Sequence, residues 1–123
     1  FHIDSNRETK RFFEKLKENA LLMKSALESE KKARVADTLN QDWKTRKAML
    51  PGMTSPEIEK LLKAAFRDGT FAGRVCGAGG GGCVLLLIEP YKRQKLTQII
   101  EKMNMQILPA KISEKGVSII RTN

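Results

Sequence analysis

The sequence predicts an α+β fold: an antiparallel four-stranded sheet with helices packed on one face. Three observations carry this. Four segments repeat apolar residues at helical spacing, four short apolar runs fall into two neighbouring pairs, and the order is helix, helix, helix, strand, strand, helix, strand, strand. Strands that can pair with near neighbours, with helices before and between them, make an antiparallel layer covered by helices. A chain of 123 residues with 41% hydrophobic and 30% charged residues suits one domain, residues 1–123, closing a single core.

The first helix is predicted over residues 6–28. Ser5-x-x-Glu8 has the form of a capping box, in which the serine oxygen accepts from a backbone N–H and the glutamate reaches back. Phe12, Leu16, Ala20, Met23 and Leu27 follow as an apolar core stripe, widened by Phe13. Polar residues 28–32 interrupt it, and a second stripe of Val35, Leu39 and Trp43 ends near Met49, so the first two helices form an antiparallel hairpin. Pro51-Gly52 is a break. Ser55 then caps a third helix with Pro56 at its first position, where the missing N–H is harmless. Ile58, Leu61, Leu62, Ala65 and Phe66 supply the buried face of that helix, and Gly69 its stop. Residues 71–76 and 83–89 read as antiparallel strands, and the continuous apolar run of the second implies burial on both faces or a central position in the sheet. After Pro90 a fourth helix carries Leu96, Ile99, Ile100 and Met103. Residues 107–112 and 117–121 form the last strand pair, across Glu114-Lys115-Gly116.

A net charge of +9 raises nucleic acid as a partner. The excess is spread, however, with 12 basic and 8 acidic residues in 1–50 and 11 and 6 in 51–123, many of them intermingled along predicted helices. That pattern describes solvated faces. Tyr91 is the only tyrosine and has no aromatic companion among the basic residues with which to stack bases. No nucleic acid is expected, and no membrane either, because no run approaches the roughly 20 apolar residues of a span. The chain starts at Phe1 without the order of a signal peptide, so a piece of a longer cytoplasmic protein is expected. Cys76 and Cys83 would permit a disulfide across a hairpin, but a domain with a full core does not require one, and reduced, buried residues are the preferred reading. With His2 the lone histidine, no Cys/His metal site is expected.

The chemistry concentrates at Gly77, Ala78, Gly79, Gly80, Gly81 and Gly82, which hold five of the nine glycines. Without Cβ atoms such a loop can turn successive N–H groups toward one anion, a phosphate being the natural guest. A dinucleotide fingerprint would have to open a helix, and a P-loop would need Lys-Ser or Lys-Thr after its last glycine. Here the run continues as the apolar strand beginning Cys83-Val84. Both motifs fail on context. A ligand-free hairpin loop remains the alternative.

Leu50-Pro51-Gly52-Met53-Thr54-Ser55-Pro56-Glu57-Ile58-Glu59-Lys60-Leu61, then Phe71-Ala72-Gly73-Arg74-Val75-Cys76, then the glycine run, resembles the C-terminal domain of the GHMP small-molecule kinases. Within that family the Pro51-Gly52-Met53-Thr54 segment and the tail Ile107-Leu108-Pro109-Ala110-Lys111-Ile112 look most like bacterial heptose-phosphate kinases. The resemblance implies a ferredoxin-like layer, and a glycine loop lying near ATP and substrate phosphates. It implies phosphoryl transfer from Mg-ATP to a hydroxyl of a sugar or sugar phosphate, with ATP and Mg2+ held mainly by an N-terminal domain absent from this chain. That domain would be the chain's own partner and would supply the catalytic acidic residue. No catalytic residue is expected here, and this chain alone is expected to be inactive. Arg74 stands where many family sequences have lysine and is a candidate substrate contact, with a solvated or structural strand charge as the alternative. The reading from another class is a freestanding regulatory domain binding a phosphorylated metabolite.

Overall fold

The computed structural model describes residues 2–76 and 83–108, with side chains from residue 7 onward. Helices α1 (His2–Glu28) and α2 (Lys32–Met49) are followed by a 3-10 turn (Pro51–Met53), α3 (Pro56–Arg67), the strands β1 (Ala72–Cys76) and β2 (Cys83–Leu87), a second 3-10 turn (Pro90–Lys92) and α4 (Arg93–Lys102). The predicted pair at 107–112 and 117–121 lies outside the described residues except for Ile107 and Leu108, neither of which is in a strand. The glycine run, 77–82, lies outside them too. Among the described residues the sheet is one antiparallel pair, registered Ala72 on Leu87 through Cys76 on Cys83.

Elements end where local chemistry ends them. Ser55 has extended backbone and its hydroxyl accepts from the Ile58 N–H, with Pro56 at the first helical position; these two features start α3 as predicted. At its other end Gly69 takes φ +98°. Its N–H donates to Phe66 and the Thr70 N–H to Ala65, the double bond of a Schellman stop, for which glycine has no steric cost. Lys92 reaches over this glycine, donating to the Asp68 carbonyl at 2.7 Å, and Lys95 pairs with the Asp68 carboxylate at 3.0 Å. The start of α4 is thereby tied to the end of α3. Helix α1, by contrast, begins at His2, so Ser5 lies within it and does not cap it. Residues 1–4 contain no glycine or proline that would stop the helix before Ser5.

Packing divides the described helices between both faces of the hairpin, where one face was expected. Alternate residues of a strand face opposite ways. Val75, with its sheet neighbours Val84 and Leu86, packs against Trp43, Met53, Ile58 and Leu62. Ala72 and Leu87 instead pack with Met23, Ala36, Leu39 and Phe71. Thus α3 and the first turn cover one face, α1 covers the other, and α2 contributes to both clusters. The Asn40 side chain explains how α2 can sit so close to β1. Its amide donates to the Phe71 carbonyl at 2.9 Å and accepts from the Gly73 N–H at 3.2 Å, occupying the place of a peptide group in a neighbouring strand. Opposite, Leu62 and Leu86 methyl carbons stand 2.7 and 2.9 Å from where a Cβ on Gly73 would project.

Three apolar expectations shift. The buried positions of α1 are Asn19 and Ala26, while Phe13 is 61% and Leu27 59% exposed; Phe12, Leu16 and Met23 are half-buried and Ala20 exposed. Phe12, Leu16 and Met23 of the predicted stripe thus remain on the packed side, and the deepest positions shift by one residue, from Ala20 and Leu27 to Asn19 and Ala26. Phe66 is exposed at the solvent side of α3. In β2, Leu85 is exposed although its whole run is apolar, because among the described residues only β1 flanks that strand.

Asn40→Ala should strand the Phe71 carbonyl and the Gly73 N–H and cost about 1–3 kcal/mol. Urea unfolding would read this as a lower midpoint at unchanged slope; wild-type stability would show that water replaces the amide without loss.

Candidate functional site

Of the residues singled out in the sequence, Arg74 is the one whose side chain is described. It lies on β1 in the same face as Ala72, opposite Leu85. Its Nη1 donates to Asp42 Oδ2 at 2.6 Å, and its Nε to the Val75 carbonyl at 3.1 Å. The side chain keeps 17% of its exposure, so it is not a solvated strand charge. Asp42 comes from α2, where Arg46 follows one turn later. The Arg46 Nε donates to the same Oδ2 at 2.8 Å. One carboxylate oxygen therefore holds two guanidinium groups, an arrangement of charge-assisted bonds.

Helix α1 closes the cluster from the other side. Asn19, 1% exposed, donates through Nδ2 to Asp42 Oδ1 at 3.3 Å and to Thr45 Oγ1 at 3.4 Å. Its own Oδ1 is buried and has no hydrogen-bond partner among the described residues. A cavity of about 270 Å³ opens here, with Leu16, Ala20, Met23 and Leu39 as apolar wall and Asn19, Asp42, Arg46 and Arg74 as polar wall. The cluster carries two positive charges against one negative. Each arginine has five N–H donors in a planar fork, and the bonds above use two on Arg74 and one on Arg46. The arrangement can therefore brace three elements and still offer donors to an anion.

The glycine run joins the paired ends of the hairpin. Cys76 and Cys83 are direct register partners, which places the two cysteines that flank the run about 5 Å apart. Both cysteines are free thiols; Cys76 is half-buried, and Cys83 is exposed where burial was expected. Among the described residues no group of three or more His, Cys, Asp or Glu side chains is placed to hold a metal ion, and no helix is long and apolar enough to cross a membrane.

Asn19, Asp42 and Arg46 were not picked out from the sequence. Two signals were there. Asn19 is a polar residue at helical spacing between Leu16 and Met23, and Asp42 with Arg46 is an i, i+4 pair of opposite charge. Neither signal points to β1, because the partner is 32 residues from Asp42 in sequence.

The family model described as GHMP kinases C terminal matches residues 12–104. The chain is 26% identical over 102 residues to the D-glycero-alpha-D-manno-heptose 7-phosphate kinase of Campylobacter jejuni, a match covering 83% of this chain and 30% of that protein. It is 31% identical over 55 residues to the mevalonate kinase of Methanocaldococcus jannaschii, covering 45% of this chain and 17% of that protein. The chain thus spans less than a third of the length of these curated relatives.

Asp42→Ala should leave Arg46 and Arg74 facing each other unpaired. The expected loss is about 1.5–3 kcal/mol, the range for hydrogen bonds to charged groups, partly recovered in high salt as the arginine repulsion is screened. A double-mutant cycle with Arg74→Met checks it: additive losses would mean that the 2.6 Å pair contributes no coupling.

Proposed function

The chain belongs to the GHMP kinases, matching their C-terminal domain, and on that premise we propose that it is the C-terminal half of an ATP-dependent kinase. Its acceptor is a sugar or sugar phosphate, with heptose phosphate favoured because the heptose 7-phosphate kinase match runs over 83% of the chain. The observation that carries the reading is the family match over residues 12–104, which spans the glycine run and the paired strands on either side of it. Backbone N–H groups of such a run are suited to a reaction that depends on positioning and charge stabilisation.

The described residues offer no carboxylate cluster for Mg2+, so no step is assigned to the metal here. Mg-ATP supplies the transferred phosphoryl group, and it is held, in this reading, mainly by the N-terminal domain. That domain is the partner of this chain and also activates the acceptor hydroxyl. The role of Gly77, Ala78, Gly79, Gly80, Gly81 and Gly82 is to shape the phosphate-proximal side of the cleft. Arg74 contributes a fixed positive charge about two strand residues before the loop.

ATP-dependent phosphorylation by the full-length protein, followed by ADP release with heptose 7-phosphate and mevalonate as rival acceptors, tests this directly. Turnover of the sugar phosphate is expected, and background turnover from the 123-residue chain by itself. Exclusive use of mevalonate would overturn the acceptor class, and activity of the isolated chain would overturn the division of labour.

In the full-length enzyme Gly80→Val should lower kcat/KM on the order of a hundredfold, the scale for loss of a backbone oxyanion donor. Thermal stability should fall much less, since the paired strands and not the loop hold the hairpin. The opposite balance, wild-type kcat/KM with a lowered Tm, would make the glycine run a structural turn.

A further inference from the structure

We propose that the cavity between α1, α2 and β1 is a subsite for a phosphorylated sugar, with the resident phosphate on Arg46 and Arg74. The proposal rests on the kinase reading above and adds to it a place for the acceptor's own phosphate. A kinase that acts on an already phosphorylated sugar must hold two phosphates apart. The glycine run accounts for the one in transfer, leaving the other without a site.

The cavity has the chemistry such a ligand needs. Arg46 and Arg74 present planar N–H forks, the geometry that recognises phosphate, and their Nε and Nη1 bonds to Asp42 lock both in place before anything binds. Asp42 does more than neutralise them. With Oδ2 taken by both arginines and Oδ1 by Asn19, it orients all three groups, and the cluster keeps one net positive charge for the anion. Leu16 and Met23 on the opposite wall suit the C–H face of a sugar ring. A volume of about 270 Å³ stands at the small end of small-molecule sites.

The test is calorimetric titration of the full-length protein, without nucleotide, with heptose 7-phosphate, the unphosphorylated heptose and inorganic phosphate separately, and with ATP in a parallel arm. Heptose 7-phosphate should bind at least tenfold tighter than the free heptose. Arg46→Gln, which leaves Asp42 paired to Arg74 and Asn19, should weaken heptose 7-phosphate tenfold or more while ATP affinity stays within twofold. Arg46→Lys, retaining the charge without the fork, should fall between. Sugar-phosphate affinity that survives both Arg46 substitutions would overturn the proposal and make the cluster a brace filled by water. Equal loss of ATP and sugar-phosphate affinity in the Arg46 variants would also overturn it, placing a nucleotide phosphate there. Arg46-dependent binding without turnover would sink the kinase reading alone; turnover with Arg46-independent binding would sink the subsite alone.

Discussion

Helix α2 can lie against β1 because the Asn40 amide substitutes for a neighbouring strand. A strand beside a helix would otherwise leave backbone groups facing side chains that cannot pair with them, and unpaired groups of that kind are rare because each is costly. By donating to the Phe71 carbonyl and accepting from the Gly73 N–H, Asn40 removes that conflict where the helix faces the strand's backbone. Gly73 makes the approach possible from the other direction, since Leu62 and Leu86 fill the space a side chain there would need.

From that contact the rest of the packing follows. With α2 held at β1, its apolar residues enter both clusters: Trp43 joins Val75 and α3, while Ala36 and Leu39 join Ala72 and the α1 side. The same placement carries Asp42 to Arg74. The carboxylate then gathers Arg46 from its own helix and Asn19 from α1, so three elements meet at one charge. A strand arginine that in isolation would be a surface charge becomes a fixed, mostly buried donor two residues from the end of β1. Lys47 extends the pattern toward α3 through its 2.9 Å pair with Glu59, but that pair is well exposed and contributes little to stability.

The cluster also explains why the deepest positions of α1 are Asn19 and Ala26, one residue away from Ala20 and Leu27 of its apolar stripe. A polar atom taken from water needs a partner, and Asn19 finds Asp42 and Thr45 only if the helix turns that side inward. The turn leaves Phe13 and Leu27 exposed, together with Leu21 and Leu22. Hydrogen bonding to a charged partner on α2 therefore sets the rotation of α1, and hydrophobic content alone does not.

The sequence by itself determined the features governed by neighbours within four residues. The Ser55-Pro56 start and Gly69 stop of α3, the helical hairpin, and the two strands around the glycine run were all legible, because caps, stops and turns depend on local backbone chemistry. The stretch from Leu50 to Cys83 was also enough to bring the family into view, and the match to residues 12–104 agrees. Only the tertiary structure decided which face of α1 is buried, that helices cover both sides of the hairpin, and that Asn19, Asp42, Arg46 and Arg74 form one cluster. Those outcomes depend on partners 23 to 32 residues apart in sequence. Periodicity shows that a helix has a polar and an apolar side, but the surface it meets determines which polar residue has its charge answered.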